Sequence, residues 1–187
     1  MGLHFNGVAI SAAPLPPESE QTPEERAYVR ALAAYRRTEL DYHREQRNKP
    51  QTVALALSDS PIGVAAWIVE KLKGWSDSPA LEAVFTKERV ITNLMIYLVT
   101  NTIGTAGWFY RGLIEDAGAL HGRVTVPTGF ASSPHELTLL NPPRSTLERN
   151  FNLVHYTKMS RGGHFAFWEQ SDAMVAEVRQ FFRKLRT

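Results

Sequence analysis

The sequence predicts an α/β fold in which a long helical segment interrupts a small set of strands. Three short stretches rich in β-forming residues are the first observation, at residues 2–6, 124–128 and 152–158. The second is the helical periodicity that fills most of the chain between the first two stretches. The pattern therefore predicts a core made from residues 1–13 and 119–187, with a helical insertion over residues 14–118.

Composition excludes several classes of function. The 187 residues are 43% hydrophobic and 21% charged, with a net charge of +2, which is ordinary for a globular protein. This small positive charge, without basic runs among aromatics, argues against a nucleic-acid partner. The sequence has no cysteine, so disulfides and thiol chemistry are excluded. Residues 1–6 do not resemble a signal peptide, and together these features predict a cytoplasmic protein.

Helix signals are clear at four places. Thr22 is predicted as the N-cap of a helix over residues 23–41, with Pro23 in the first turn. Helices are also predicted from Pro61 to Gly74, over residues 87–99, and over residues 171–185 with Ser171 as N-cap. Residues 90–110 lack charge but contain several polar residues, so we expect a buried helix and a bend rather than a membrane span.

His164 is the residue around which the chemistry is organised. It follows Gly162 and Gly163, which allow a sharp turn, and lies between the last predicted strand and the last predicted helix. Imidazole titrates near neutral pH, so a histidine on such a loop suits general acid–base catalysis. An ordinary surface histidine after a glycine turn fits the local sequence equally well.

Three blocks of sequence resemble the microsomal-type epoxide hydrolases, in the family's order and spacing. They are Ser58-Asp59-Ser60-Pro61-Ile62-Gly63-Val64-Ala65-Ala66-Trp67-Ile68-Val69-Glu70-Lys71, Val126-Pro127-Thr128-Gly129 and Met159-Ser160-Arg161-Gly162-Gly163-His164-Phe165. The resemblance covers nearly all of the chain. It implies a partial α/β-hydrolase fold, with the last three core strands and a helical cap insertion. It also implies a small hydrophobic epoxide as substrate and no cofactor or metal.

The resemblance assigns roles to four residues. His164 matches the base that activates water, and Glu136 matches the acid that orients it. Tyr42 and Tyr110 match the two cap tyrosines that donate hydrogen bonds to the epoxide oxygen. Without the resemblance, Glu136 would be interpreted as a solvated loop acid and each tyrosine as a packing residue. His135 is predicted to be only a surface residue.

The family's attacking aspartate has no match in this sequence. The aspartates, none of which fits the family's nucleophile position, are Asp41, Asp59, Asp77, Asp116 and Asp172. We therefore expect a truncated form that is inactive alone. The alternative is a non-catalytic module that pairs with a missing amino-terminal half, with homo- or hetero-association through an exposed first strand.

Overall fold

A three-stranded parallel sheet is formed by the two ends of the chain. The computed structural model describes residues 1–9, 13–78, 80–115 and 122–186. The strands are β1 (Leu3–Phe5), β2 (Val124–Ser132) and β3 (Phe151–Lys158), in the order β1-β2-β3. Because all three run in the same direction, their carboxyl ends meet at one edge of the sheet. The segments that follow β2 and β3 are thereby brought together.

The three predicted strands are confirmed, with one change of length. β2 was expected to end at Gly129 but continues to Ser132. Its last residues are buried, since Phe130 and Ala131 have no exposed surface. Ile10, which was grouped with the first strand by its spacing, lies outside the described residues.

Helices cover both faces of the sheet. On one face, α7 (Arg144–Asn150) contributes Leu147 to a core that contains Phe130 and Phe151. On the other face, α9 (Ser171–Lys184) brings Phe181 against the ring of His4, with centroids 5.5 Å apart. This burial on two sides is what a parallel sheet requires.

The helix α1 (Pro23–Thr38) begins where the sequence predicts but ends three residues earlier. The Thr22 hydroxyl accepts a hydrogen bond from the Glu25 N–H at 3.1 Å, and the Glu25 carboxylate accepts one from the Thr22 N–H at 2.9 Å. This reciprocal capping box confirms Thr22 as the N-cap.

The remaining helices include four that the sequence left unassigned, α2, α3, α6 and α8. The bounds are α2 (Asp41–Asn48), α3 (Pro50–Ser58), α4 (Pro61–Gly74), α5 (Lys87–Thr100), α6 (Ile103–Glu115) and α8 (Ala166–Glu169). Short 3₁₀ turns occupy Glu18–Glu20, Leu81–Ala83 and Thr138–Leu140. The start and end of α4 and the start of α5 are confirmed.

Two local expectations are wrong. The segment over residues 90–110 does bend, at Asn101 with φ 53°, but it is only partly buried: Val90 and Ile103 are buried, whereas Ile96, Val99 and Phe109 are all more than half exposed. Ser171 does not cap α9, because it is already the first helical residue and Gln170 holds the cap position. Among the described residues no single helix could cross a membrane, although the bent pair of α3 and α4 meets the length and composition test.

The chain divides into two compact units. The first comprises Met1–Tyr35, Trp75–Asp77 and Leu120–Thr187, and the second comprises Arg36–Gly74 and Ser78–Ala119. The first boundary was expected near residue 13. That domain boundary stays a prediction; by their contacts, residues 23–35 of α1 group with the sheet, and Tyr28 and Leu32 are buried there. The boundary expected at residues 118–119 lies outside the described residues.

Candidate active site

Glu136 lies in the turn that follows β2 and is almost completely enclosed. Its side chain is 1% exposed, against 28% for the side chain of His164. The oxygen Oε1 accepts a hydrogen bond from the Leu137 N–H at 2.7 Å and lies 2.8 Å from Nδ1 of His164. The other oxygen, Oε2, has no hydrogen-bond partner among the described residues. The expectation of a solvated loop acid therefore does not hold.

The turn after β3 presents His164 to this carboxylate. Gly162 has φ 116°, a conformation that residues with a Cβ rarely adopt. At Gly163 a Cβ would lie 2.9 Å from the Asp77 nitrogen, so only glycine allows this approach of two backbones. The His164 N–H donates to the Trp75 carbonyl at 2.8 Å. The rings of Trp75 and Phe165 lie edge-on to the imidazole, with centroids 5.4 and 5.0 Å away.

The geometry fixes the protonation pattern of His164. A carboxylate only accepts hydrogen bonds, so Nδ1 of His164 carries the proton in this contact. The other nitrogen, Nε2, is then the basic one and has no hydrogen-bond partner among the described residues. A buried carboxylate in this position also stabilises the imidazolium that forms when Nε2 takes a proton. The pair can therefore act as a general base toward a water molecule.

Two further carboxylates hold the histidine turn, and the sequence analysis gave neither a role. Asp77 accepts a hydrogen bond from the Gly162 N–H at 2.7 Å and lies 3.1 Å from Nε2 of His135. Glu169 accepts from the N–H groups of Gly163, at 3.1 Å to each oxygen, of Phe165 at 3.0 Å and of Asp77 at 2.6 Å. His135 is exposed, as expected, but it is paired rather than isolated. No local pattern predicted these contacts, because Asp77 and Gly162 are 85 residues apart.

Tyr42 and Tyr110 lie together in the second unit. Tyr42 is on α2 and Tyr110 on α6, and their rings meet edge to face with centroids 5.9 Å apart. Burial raises the pKa of Tyr110 above its usual value, while hydrogen bonds with Gln46 and Tyr42 partly offset this effect. The Lys71 ammonium group lies 4.7 Å from the centre of the Tyr42 ring. The Tyr110 phenol therefore stays protonated at neutral pH and can act as a hydrogen-bond donor.

The described residues contain no group of three or more histidine, cysteine, aspartate or glutamate side chains that could hold a metal ion.

No protein-family model matches the chain. Individual proteins do match it. A provisionally named epoxide hydrolase of Stigmatella aurantiaca is 33% identical over 99% of this chain, which corresponds to 42% of that protein. Epoxide hydrolase 1 of Sus scrofa is 34% identical over 76% of this chain and 34% of its own length.

Solved structures that resemble this chain are also epoxide hydrolases. The epoxide hydrolase of Aspergillus niger superposes with a TM-score of 0.76 at 27% identity, over 98% of this chain and 46% of that one. The juvenile hormone epoxide hydrolase of the silkworm Bombyx mori also gives 0.76, at 28% identity, over 100% of this chain and 50% of that one. The chain belongs to the epoxide hydrolase family of the α/β-hydrolase fold. It spans about half the length of these structures or less.

Proposed function

We propose that the chain supplies the water-activating pair and the epoxide-activating tyrosines of an enzyme that converts an epoxide and water into a vicinal diol. The contact of Glu136 with His164 is the observation that carries this proposal. It is supported by the family to which the chain belongs. The substrate class that we propose is a small hydrophobic epoxide.

The reaction has two steps in the mechanism that the family resemblance implies. A carboxylate attacks a ring carbon and forms an ester, and the carbon–oxygen bond of the ring breaks with its electrons on the oxygen. Tyr42 and Tyr110 donate hydrogen bonds to that oxygen, and a proton from solvent completes the hydroxyl group. Two neutral phenols are suited to this step because they stabilise the developing negative charge while staying protonated.

His164 acts in the second step. Its Nε2 removes a proton from water, and the water oxygen attacks the carbonyl carbon of the ester. The Glu136 carboxylate stabilises the resulting imidazolium through Nδ1. Collapse of the tetrahedral intermediate expels the alkoxide, which takes the proton back from His164 and gives the diol. The carboxylic acid that remains loses its proton to solvent, and this restores the attacking carboxylate.

The attacking carboxylate, we propose, comes from outside these 187 residues. The carboxylates around His164 already have partners: Glu136 contacts His164 itself, Asp77 holds Gly162 and His135, and Glu169 accepts three backbone N–H groups. A nucleophile must reach about 3–3.5 Å from the ring carbon. Removing Asp77 or Glu169 from its present bonds would dismantle the turn that presents the base.

A second candidate function is that of a non-catalytic module that pairs with another polypeptide. The observation that favours it is the edge of β1, which is hydrogen-bonded to β2 on one side and has no strand partner on its other side among the described residues. Measurement of the molecular mass in solution tests this second candidate function. Association through this edge gives a complex of two chains, and a monodisperse monomer of the 187 residues argues against it.

The test of the proposed enzyme uses an aryl epoxide such as styrene oxide and two preparations. The 187-residue chain alone is expected to form diol at or near the uncatalysed rate, with no ester on the protein. The protein produced from its own gene, with any accompanying segment or partner, is expected to turn the epoxide over. Failure of the second preparation overturns the enzymatic proposal. Turnover by the first preparation overturns the proposal of an external carboxylate.

A further inference from the structure

Glu169 joins the two backbone segments that enclose His164. One segment is the turn itself, from Gly162 to Phe165, and the other is Trp75–Asp77. The carboxylate accepts from Gly163 and Phe165, the two neighbours of His164, and from Asp77 in the second segment. Glu169 is therefore hydrogen-bonded to the backbone on both sides of the histidine.

This arrangement determines where the imidazole points. The His164 backbone is fixed at its own N–H, which donates to the Trp75 carbonyl at 2.8 Å, and by Glu169 at the residues before and after it. Glu169 also fixes Asp77, so the Trp75 carbonyl and the turn are tied to the same carboxylate. Movement of one segment past the other would carry Nδ1 away from its 2.8 Å contact with Glu136.

Backbone hydrogen bonds hold this turn at Gly162, whose carbonyl accepts from the His135 N–H at 3.1 Å, and at His164, whereas the N–H groups of Gly163 and Phe165 donate to the Glu169 carboxylate. Gly162 and Gly163 have the greatest conformational freedom of any residues, and Gly162 occupies a left-handed conformation. The turn belongs neither to β3 nor to a long helix, since α8 extends only from Ala166 to Glu169. The carboxylate supplies the acceptors that regular structure would otherwise provide.

We propose that Glu169 is a positioning residue for the catalytic pair, which keeps Nδ1 of His164 on Glu136 by clamping the turn to Trp75–Asp77. This inference rests on the proposed function for its catalytic consequence, but its structural claim is independent of that function. The variant Glu169→Gln keeps the length of the side chain but replaces one acceptor oxygen with an N–H₂ group. That group faces backbone N–H donors and cannot accept from them.

Proton NMR of the 187-residue chain tests the structural claim. The proton shared between Nδ1 of His164 and Glu136 is expected to give a separate downfield resonance, which His164→Gln assigns by removing it. In Glu169→Gln this resonance should broaden, or the proton that gives it should exchange with water at least about tenfold faster, because a protected site that opens locally exposes its proton to water. The matched control is Glu148→Gln, whose carboxylate forms an exposed ion pair with Arg144 in the same unit. This control should leave the resonance unchanged, and an unchanged resonance in Glu169→Gln would overturn the inference.

A measurement on the unmodified protein covers the case in which Glu169→Gln does not fold. The amide hydrogens of Gly163 and Phe165 are expected to exchange at least about tenfold more slowly than that of the exposed Arg161. Equal exchange rates at these three positions would show that the clamp does not exist in solution.

The catalytic consequence is tested in the active protein. A misplacement of about 1 Å can cost about 10² in rate, so Glu169→Gln should slow ester hydrolysis about 10- to 100-fold while ester formation and KM change little. Loss of ester formation as well would indicate a general structural role and overturn the inference. If no preparation hydrolyses epoxides but Glu169→Gln changes the resonance as predicted, the proposed function is wrong. The structural claim, that Glu169 holds the His164 turn, is then still supported.

Discussion

Glu25 and Arg149 form an ion pair in which the carboxylate is fully buried and the guanidinium is partly exposed, with 2.8 Å between Oε1 and Nη1. The same oxygen accepts from the hydroxyls of Ser145 and Thr146, at 3.0 Å each. This one carboxylate joins the start of α1 to α7, and so anchors the helix on the sheet unit.

The first prediction concerns that carboxylate. Glu25→Gln should lower the free energy of unfolding by about 2–4 kcal/mol, because it leaves Arg149 and two hydroxyls without a charged acceptor. Urea denaturation measures the change. Glu24→Gln is the matched control, since Glu24 is exposed in the same first turn, and it should change stability by less than about 0.5 kcal/mol. Equal effects of the two variants would contradict the anchoring role.

Stability should also depend on pH through Glu25. Hydrogen bonds from Arg149, Thr22 and the two hydroxyls outweigh burial and lower the pKa of Glu25 to about 2. A lowered carboxyl pKa contributes stability that is fully present above the ordinary value of 4.5 and is lost as the pH falls toward 2. The stability difference between Glu25→Gln and the unchanged protein should therefore shrink below pH 4.5. A constant difference in urea midpoints across this range would argue against the assignment.

Stability should also depend on pH through His4, at a higher pH than through Glu25. Burial is the main reason that its pKa lies below 6.5, and the nearby groups on the other elements are Glu177 and Lys184 of α9 and His155 of β3. A lowered histidine pKa means that the fold favours the neutral ring, so stability falls as the pH drops below 6.5. His4→Gln should flatten the slope of Tm against pH in this range. An unchanged slope in His4→Gln would contradict this prediction.

Gly163 should not tolerate a side chain. A Cβ there would lie 2.9 Å from the Asp77 nitrogen and 3.0 Å from the Ser76 carbonyl carbon, which are backbone atoms that cannot rotate away. Gly163→Ala should cost about 1–3 kcal/mol of stability, as overpacking does, and should weaken the hydrogen bond from His164 to Trp75. Ser160→Ala, at an exposed position of the same segment, serves as control. A thermal unfolding curve that is the same for both variants would exclude the close approach.

Tyr110 should ionise at a higher pH than an ordinary tyrosine. Burial is the main cause that raises its pKa above the ordinary 10.0, so the midpoint of its phenolate absorbance should lie above pH 10. Comparison of ultraviolet titrations of the unchanged chain and Tyr110→Phe isolates this group. A midpoint at or below pH 10 in the difference spectrum would mean that Tyr110 is not enclosed as the structure describes.

The sequence predicted the strands and the long helices because these depend on local patterns. It could not predict that α1 belongs with the sheet unit, since that depends on contacts of Glu25 with Arg149, 124 residues later. The same holds for the site. Glu136 and His164 were identified through resemblance and are in contact in the structure, whereas the contribution of Glu169 depends on a turn whose conformation no local signal specifies. The exposure of residues on α5 and α6 was missed because apolar composition alone does not tell which face is covered.

The central claim is that His164, oriented by Glu136, activates the water that hydrolyses an ester intermediate. The most direct test is single-turnover mass spectrometry of the active protein with styrene oxide, comparing the unchanged form with His164→Gln. Removal of a general base typically costs about 10²–10⁴ in rate, so His164→Gln should accumulate the ester on a carboxylate and release diol very slowly. A His164→Gln protein that shows no ester and releases diol at the unchanged rate would contradict the account.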